Sequence, residues 1–162
     1  MSEQIKFKSI GVVRTDATPD EVRASSHNIA STITVYDEFG DALDGIDGHS
    51  HIYVLAHFNA LRADQIGHLK VRPRRLLRRG LKLEELPFLG VFALDSPTRP
   101  NPIGLSLVKL VRREGNILHV TGLDYFDGTP IIDLKPYHPE HIVTDFSVPD
   151  WYTELERKAG HI

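Results

Sequence analysis

The segment Leu105–Gly122, LSLVKLVRREGNILHVTG, decides the fold. Leu105 to Arg112 and Ile117 to Thr121 are strand-like runs, and Arg113-Glu114-Gly115-Asn116 between them carries the glycine and asparagine that tight turns need. The spacing predicts a β-hairpin. Working outward, Ile5 to Val13, Ile29 to Tyr36 and Leu89 to Leu94 read as further strands. His51 to Phe58 (HIYVLAHF) is nearly continuous apolar, the pattern of a buried strand. The turn Asp127-Gly128-Thr129-Pro130 leads into a strand over Ile131 to Leu134. Arg14 to Asn28 is polar, contains Pro19 and reads as a loop. Asp37 to Gly48 is turn-like, with room for one short helical turn. Asn59 to Ile66 reads as a short helix or a loop. After Pro149 the run DWYTELERKAG predicts a helix over about 149–159, with Trp151, Leu155 and Ala159 on one face.

About seven short strands, with no alternation of strand and long helix, predict a mainly β protein. The expectation is a compact single-domain β-barrel spanning 1–162, with short helices and a C-terminal helix. The length allows a sizeable core, and 41% hydrophobic and 25% charged residues are ordinary for a globular chain. There is no cysteine, which excludes disulfides, thiolate metal sites and a cysteine nucleophile. No apolar run approaches a membrane span or a signal sequence, so a cytoplasmic protein without a membrane partner is expected. The formal net charge of −3 argues against general polyanion binding, so any nucleic-acid surface must be local.

Such a surface is available in KVRPRRLLRRGLK. Its seven cationic residues between Lys70 and Lys82 include Arg72, Arg74 and Arg75. A run of this kind binds phosphates or is a solvated loop. His49, His51 and His57 share one face of a continuous strand, yet no third ligand stands at metal-binding spacing, and no metal is expected. Tyr137-His138-Pro139-Glu140-His141 is interrupted by its proline. In SPTRPNPIGLS, Ser96 to Ser106, three prolines fix their own φ and push Ser96, Arg99 and Asn101 to extended conformations. The outcome is a pre-ordered loop that delivers Arg99 and Asn101 with little slack. Gly104 then permits a close approach to the backbone. No Gly-rich nucleotide loop is present.

The run FALDSPTRPNPIGLSLVKL resembles the first signature of the TsaA-like domain family, F-A-x-R-S-P-x-R-P-N-P-I-G-L-S, and GLDYFDGTPIIDLKPY resembles the second. LDGIDGHSHIYVLAHF and SIGVVRT are similar to the family's upstream segments, so the likeness runs from about residue 8 to 137. The resemblance implies a β-barrel homodimer that binds S-adenosylmethionine near the subunit boundary. It implies methyl transfer, with N6 of threonylcarbamoyladenosine beside the tRNA anticodon as the acceptor. A non-tRNA acceptor and a cofactor-binding module without turnover are the alternatives. By position, the implied cofactor residues are Phe58, Asn59, Asp95, Leu105, Thr121, Gly122, Leu123 and Asp124, with a further contact near residues 24–26. Asp95 stands where the family has arginine, and Asn59 where it often has histidine.

The sulfonium methyl is already activated, so alignment matters more than a general base. SPTRPNPIG and TGLD are expected to wall the cofactor pocket. The 70–82 segment would bring tRNA, with Arg72, Arg74, Arg75, Arg99, Asn101, Lys135 and Tyr137 as candidate substrate contacts. Arg99 would orient substrate or stabilise its own loop. Lys135 and Tyr137 would face substrate or brace the LKPY segment. No catalytic residue is assigned.

Overall fold

The computed structural model describes residues 4–24 and 29–160. The chain divides into two units, Met1–Ala60 with Pro102–Pro139, and Leu61–Asn101 with Glu140–Ile162.

The first unit is a closed antiparallel barrel. Its strands are β1 (Gly11–Arg14), β2 (Ala30–Val35), β3 (His51–His57), β6 (Ile103–Glu114), β7 (Ile117–Thr121) and β8 (Pro130–Pro136). Around the barrel they run β1-β2-β7-β6-β3-β8, and β8 closes on β1. The hairpin that decided the fold is present, and its loop is the two residues Gly115 and Asn116. Gly115 has φ 59° and Asn116 does not have positive φ, the arrangement that places glycine first in a type II′ turn. Strand alternation fills the barrel. Val13, Ile33, Val35, Ile52, Val54, Val108, Leu118, Val120 and Ile131 are buried, joined by Leu43, Leu123 and Tyr125 from the connections.

Three local expectations change. The first strand does not begin at Ile5, because pairing partners on β2 and β8 start opposite Gly11; Ile5 and Phe7 are exposed. Within the expected loop 14–28, a short helix α1 (Pro19–Ala24) forms. The Glu21 carboxylate accepts from the Thr18 amide and hydroxyl at 2.7 Å each, while the Glu21 amide donates to Thr18 Oγ1. This is a reciprocal capping box, and Pro19 occupies the first helical position, where its missing N–H costs nothing.

The third change lies in the second unit. Of the expected strand Leu89–Leu94, only β5 (Leu89–Gly90) is strand; it pairs with β4 (Lys70–Val71), and Val91–Ala93 turns as a 3₁₀ helix. The basic segment winds into a second 3₁₀ turn, Arg74–Arg79, ended by Gly80 at φ 89°. The C-terminal helix α2 (Asp150–Lys158) forms as expected, and Trp151, Leu155 and Ala159 pack on Leu76, Leu81 and Leu86. Its Glu156 is buried and accepts from Arg75 at 3.1 Å and from Arg79 at 2.8 Å. Two cations of the basic segment therefore hold this unit together.

Candidate functional site

In the barrel unit, the end of β3 and the start of β6 are joined by pairing of His57 with Ile103, and the Phe58 amide donates to the Pro102 carbonyl at 2.8 Å. Ala56 lies opposite Gly104 and Leu55 opposite Leu105. Gly104 is buried with no room for a side chain: a Cβ there would stand 2.5 Å from Phe58 Cζ and 2.8 Å from Tyr125 Oη. The close approach expected at Gly104 is thus made by two aromatic rings of the protein itself. They meet edge to face, with centroids 5.4 Å apart.

The same strand links this pair to the corner after β7. Ser106 Oγ donates to Asp124 Oδ1 at 3.0 Å, and the adjacent Tyr125 phenol donates to the Val54 carbonyl at 3.3 Å. Burial pushes the Tyr125 phenol well above its ordinary range; the neighbouring Ser106 hydroxyl works against that shift and the nearby Asp124 charge adds to it. Tyr125 is therefore a neutral donor at physiological pH. Sequence reasoning did not single out Ser106 or Tyr125. Both sit inside quoted signatures, next to Leu105 and Asp124, and that adjacency was the available signal.

The structure thereby brings Phe58, Leu105 and Asp124 to one end of the barrel. Leu105 is exposed and apolar, and Asp124 is exposed with one carboxylate oxygen uncommitted to Ser106. Asn59 follows Phe58 and is exposed. Thr121 ends β7 opposite Lys109 and Ala30. Gly122 has φ 90°, and its amide donates to the Ile29 carbonyl at 3.3 Å. Leu123 is buried in the core, main chain included. An apolar surface, a free carboxylate oxygen and an exposed amide fit the purine, hydroxyl and ammonium groups of S-adenosylmethionine. Of the expected contact near residues 24–26, residues 25 and 26 lie outside the described residues.

Lys135 and Tyr137 also belong to the barrel unit. Lys135 pairs with Asp133 at 2.9 Å, and the Tyr137 ring packs against Tyr53 and His51 with centroids 5.7 and 6.4 Å away. Among the described residues no three His, Cys, Asp or Glu side chains form a metal-holding group.

The remaining candidates belong to the second unit. Arg72, Arg74, Arg75 and Asp95 line one open cleft of about 850 Å³. Arg72 donates to the Leu83 carbonyl at 3.0 Å and to the Leu86 carbonyl, and its guanidinium lies 4.7 Å from the centre of the Phe88 ring. Arg99 donates to the Leu94 carbonyl at 3.4 Å, and its own carbonyl accepts from Gly67. Of its two expected roles, bracing the loop is the one its contacts serve. Asn101 is exposed. Asp95 has no ion pair among the described residues.

A closed six-stranded barrel, with exposed polar and apolar groups gathered where β3 and β7 end and β6 begins, defines a small antiparallel β-barrel domain with a candidate site at one end. The chain belongs to the tRNA-methyltransferase O N-terminal domain family, whose model matches residues 13–141. A probable S-adenosyl-L-methionine-binding protein of Pyrococcus abyssi is 36% identical over 150 residues, covering 87% of this chain and 72% of that protein. The mouse tRNA (adenine(37)-N6)-methyltransferase is 35% identical over 139 residues, covering 82% of this chain and 28% of the mouse protein. A crystal structure of TrmO superposes with a TM-score of 0.66 at 28% identity, covering 91% of this chain and 64% of that one. The resemblance read from the two signatures and the barrel expected from the strand pattern agree with these matches. No helix among the described residues is long and apolar enough to cross a membrane.

Proposed function

We propose that this chain is an S-adenosylmethionine-dependent methyltransferase that acts on N6 of an adenosine in tRNA, with threonylcarbamoyladenosine beside the anticodon as the acceptor. The observation that carries the reading is the family match across residues 13–141, which contains every barrel strand from β2 to β8 and the Phe58–Gly104–Ser106–Asp124–Tyr125 cluster.

Bound S-adenosylmethionine would supply a methyl group already activated by its sulfonium. The protein's task is therefore placement. Asp124 offers its free oxygen to the donor's hydroxyl or ammonium groups, and Ser106 fixes the carboxylate's direction. Phe58, held by the crowded contact at Gly104, and Leu105 present apolar surface to the purine. Asn59, Thr121 and Gly122 complete the contacts. A buried neutral phenol and a committed carboxylate make poor proton acceptors, so the acceptor nitrogen's proton leaves to solvent after attack.

The working form is a cytoplasmic homodimer. Leu107 and Val111 of β6 are exposed, apolar surface that a second subunit would cover. The tRNA meets the 70–82 segment.

Titration calorimetry with S-adenosylmethionine, followed by tritiated methyl transfer to bulk tRNA, tests the reading. Cofactor binding and label in tRNA are expected. Undetectable binding at millimolar cofactor overturns the cofactor assignment; binding without label in tRNA overturns the acceptor. Sedimentation at micromolar concentration should give the mass of a dimer.

A further inference from the structure

We propose that the open cleft of the second unit seats single-stranded RNA, with one unstacked base lying on the Phe88 ring and adjacent phosphates on Lys70 and Arg74. The inference deepens the tRNA reading, on which it rests for the identity of the RNA.

Charge comes first. The cleft is lined by Lys70, Arg72, Arg74 and Arg75 against Asp64 and Asp95. Asp64 is already gripped by Arg62 through two bonds of 3.0 and 2.9 Å. Arg75 shares the single carboxylate of Glu156 with Arg79, so that cluster keeps one positive charge in excess. Arg72 gives its Nη1 to two main-chain carbonyls, which are neutral, and its charge is not cancelled. Lys70 and Arg74 are exposed and have no ion pair among the described residues. In a chain of net charge −3, the cleft collects cations that the fold does not neutralise.

Shape decides the class of anion. Phe88 is 61% exposed, yet it is held in register by Arg72 over its ring. A solvent-facing aromatic, steadied by a cation and set beside uncompensated charges, is the combination by which proteins hold single-stranded nucleic acid: stacking for the base, cations for the backbone. An acidic peptide would satisfy the cations and leave the ring without a flat partner. The volume of about 850 Å³ admits more than one nucleotide.

The probe is a fluorescein-labelled single-stranded oligoadenylate of about eight nucleotides, the scale of such sites, titrated with the full chain by anisotropy over a salt series. Phe88→Ala should weaken binding roughly 5- to 150-fold, the range for loss of one stacked base, while leaving the salt slope unchanged. Phe88→Trp should retain binding. Lys70→Ala and Arg74→Ala should each reduce the slope by about 0.7. Circular dichroism checks folding, and Arg72 is left alone because it braces Leu83 and Leu86.

Wild-type protein that ignores the oligonucleotide overturns the proposal, as does Phe88→Ala binding it at full strength. A Phe88→Ala variant that loses S-adenosylmethionine affinity instead assigns the cleft to the cofactor and also overturns it. Label in tRNA without oligonucleotide binding removes this proposal alone, whereas oligonucleotide binding without label in tRNA removes the acceptor reading and leaves the cleft standing.

Discussion

Replacing Gly104 by alanine sets two effects against each other, and the structure decides the sign. A glycine within a strand costs conformational entropy, so alanine in an accommodating β position stabilises by about 0.4–1 kcal/mol. Gly104 has ordinary strand φ, and its backbone accepts alanine without strain. The space does not. The new Cβ would stand 2.5 Å from Phe58 Cζ, 3.0 Å from Phe58 Cε1 and 2.8 Å from Tyr125 Oη. Carbon atoms pack at about 3.5–4.0 Å, so the Phe58 ring must retreat by about 1 Å. Its neighbour Tyr125 cannot follow freely, because it is buried and bonded to Val54. Overpacking of this kind costs about 1–3 kcal/mol, which exceeds the entropic gain and leaves a net loss of about 0.5–2 kcal/mol. In a chain of this size that lowers the melting temperature by roughly 1–8 °C. Urea denaturation of Gly104→Ala, Phe58→Leu and the double variant measures it. The smaller ring-less side chain should relieve the clash, so the double variant should be more stable than the sum of the two single losses implies. A Gly104→Ala protein as stable as wild type, or more so, would falsify the crowding account.

Three further outcomes follow from named contacts. Glu156→Leu should destabilise by about 1–3 kcal/mol in chemical denaturation: breaking a buried pair costs about 3–5 kcal/mol, and the sum is reduced because the Arg75 and Arg79 side chains keep 51% and 31% of their exposure. Tyr125→Phe should flatten the alkaline limb of stability; the folded phenol titrates above the unfolded one, so wild type keeps this contribution below about pH 10 and loses it as pH rises further, which thermal melts across that range detect. Ser106→Ala should weaken S-adenosylmethionine binding by freeing Asp124, and Ser106→Thr should restore it; calorimetry that finds wild-type affinity in both separates Asp124 from the cofactor.

The barrel was legible because its strands carry their own signals. Apolar runs such as His51 to Phe58 end in recognisable turns, and Gly115-Asn116 can close a hairpin with almost no context. The short helix α1 was legible too, and was missed. Thr18-Pro19-Asp20-Glu21 spells a capping box with proline at its first position, and Pro19 there starts a helix instead of breaking one. The Leu89–Leu94 run misled for a different reason: its composition suits a strand, but strand length is set by the partner, and Lys70–Val71 offers two residues. The basic segment showed its charge in the sequence and hid its division of labour. That Arg75 and Arg79 clamp a glutamate some eighty positions away is a tertiary fact with no local trace. Phe88 likewise has no periodicity around it that distinguishes an exposed ring from a core one.

Methyl transfer by alignment asks for stiffness where the donor sits and tolerates looseness where a long, flexible acceptor is caught. The two units differ in that sense. Among the described residues, the barrel holds a core of fourteen buried residues, eleven of them on six mutually paired strands, whereas the second unit is held by Leu76, Leu81, Leu86 and Leu155, short 3₁₀ turns and the Arg75–Glu156–Arg79 cluster. Local opening costs least where few apolar contacts must be broken. Amide hydrogen exchange should therefore show β3, β6 and β7 opening only with global unfolding, and residues 61–101 exchanging well before them. Adding S-adenosylmethionine should slow exchange mainly at 58–59 and 121–124, and adding oligoadenylate mainly at 70–75 and 88. Uniform protection in the free protein would contradict the unequal cores, and ligand effects on the opposite segments would reverse the division between a rigid donor site and a pliant acceptor surface.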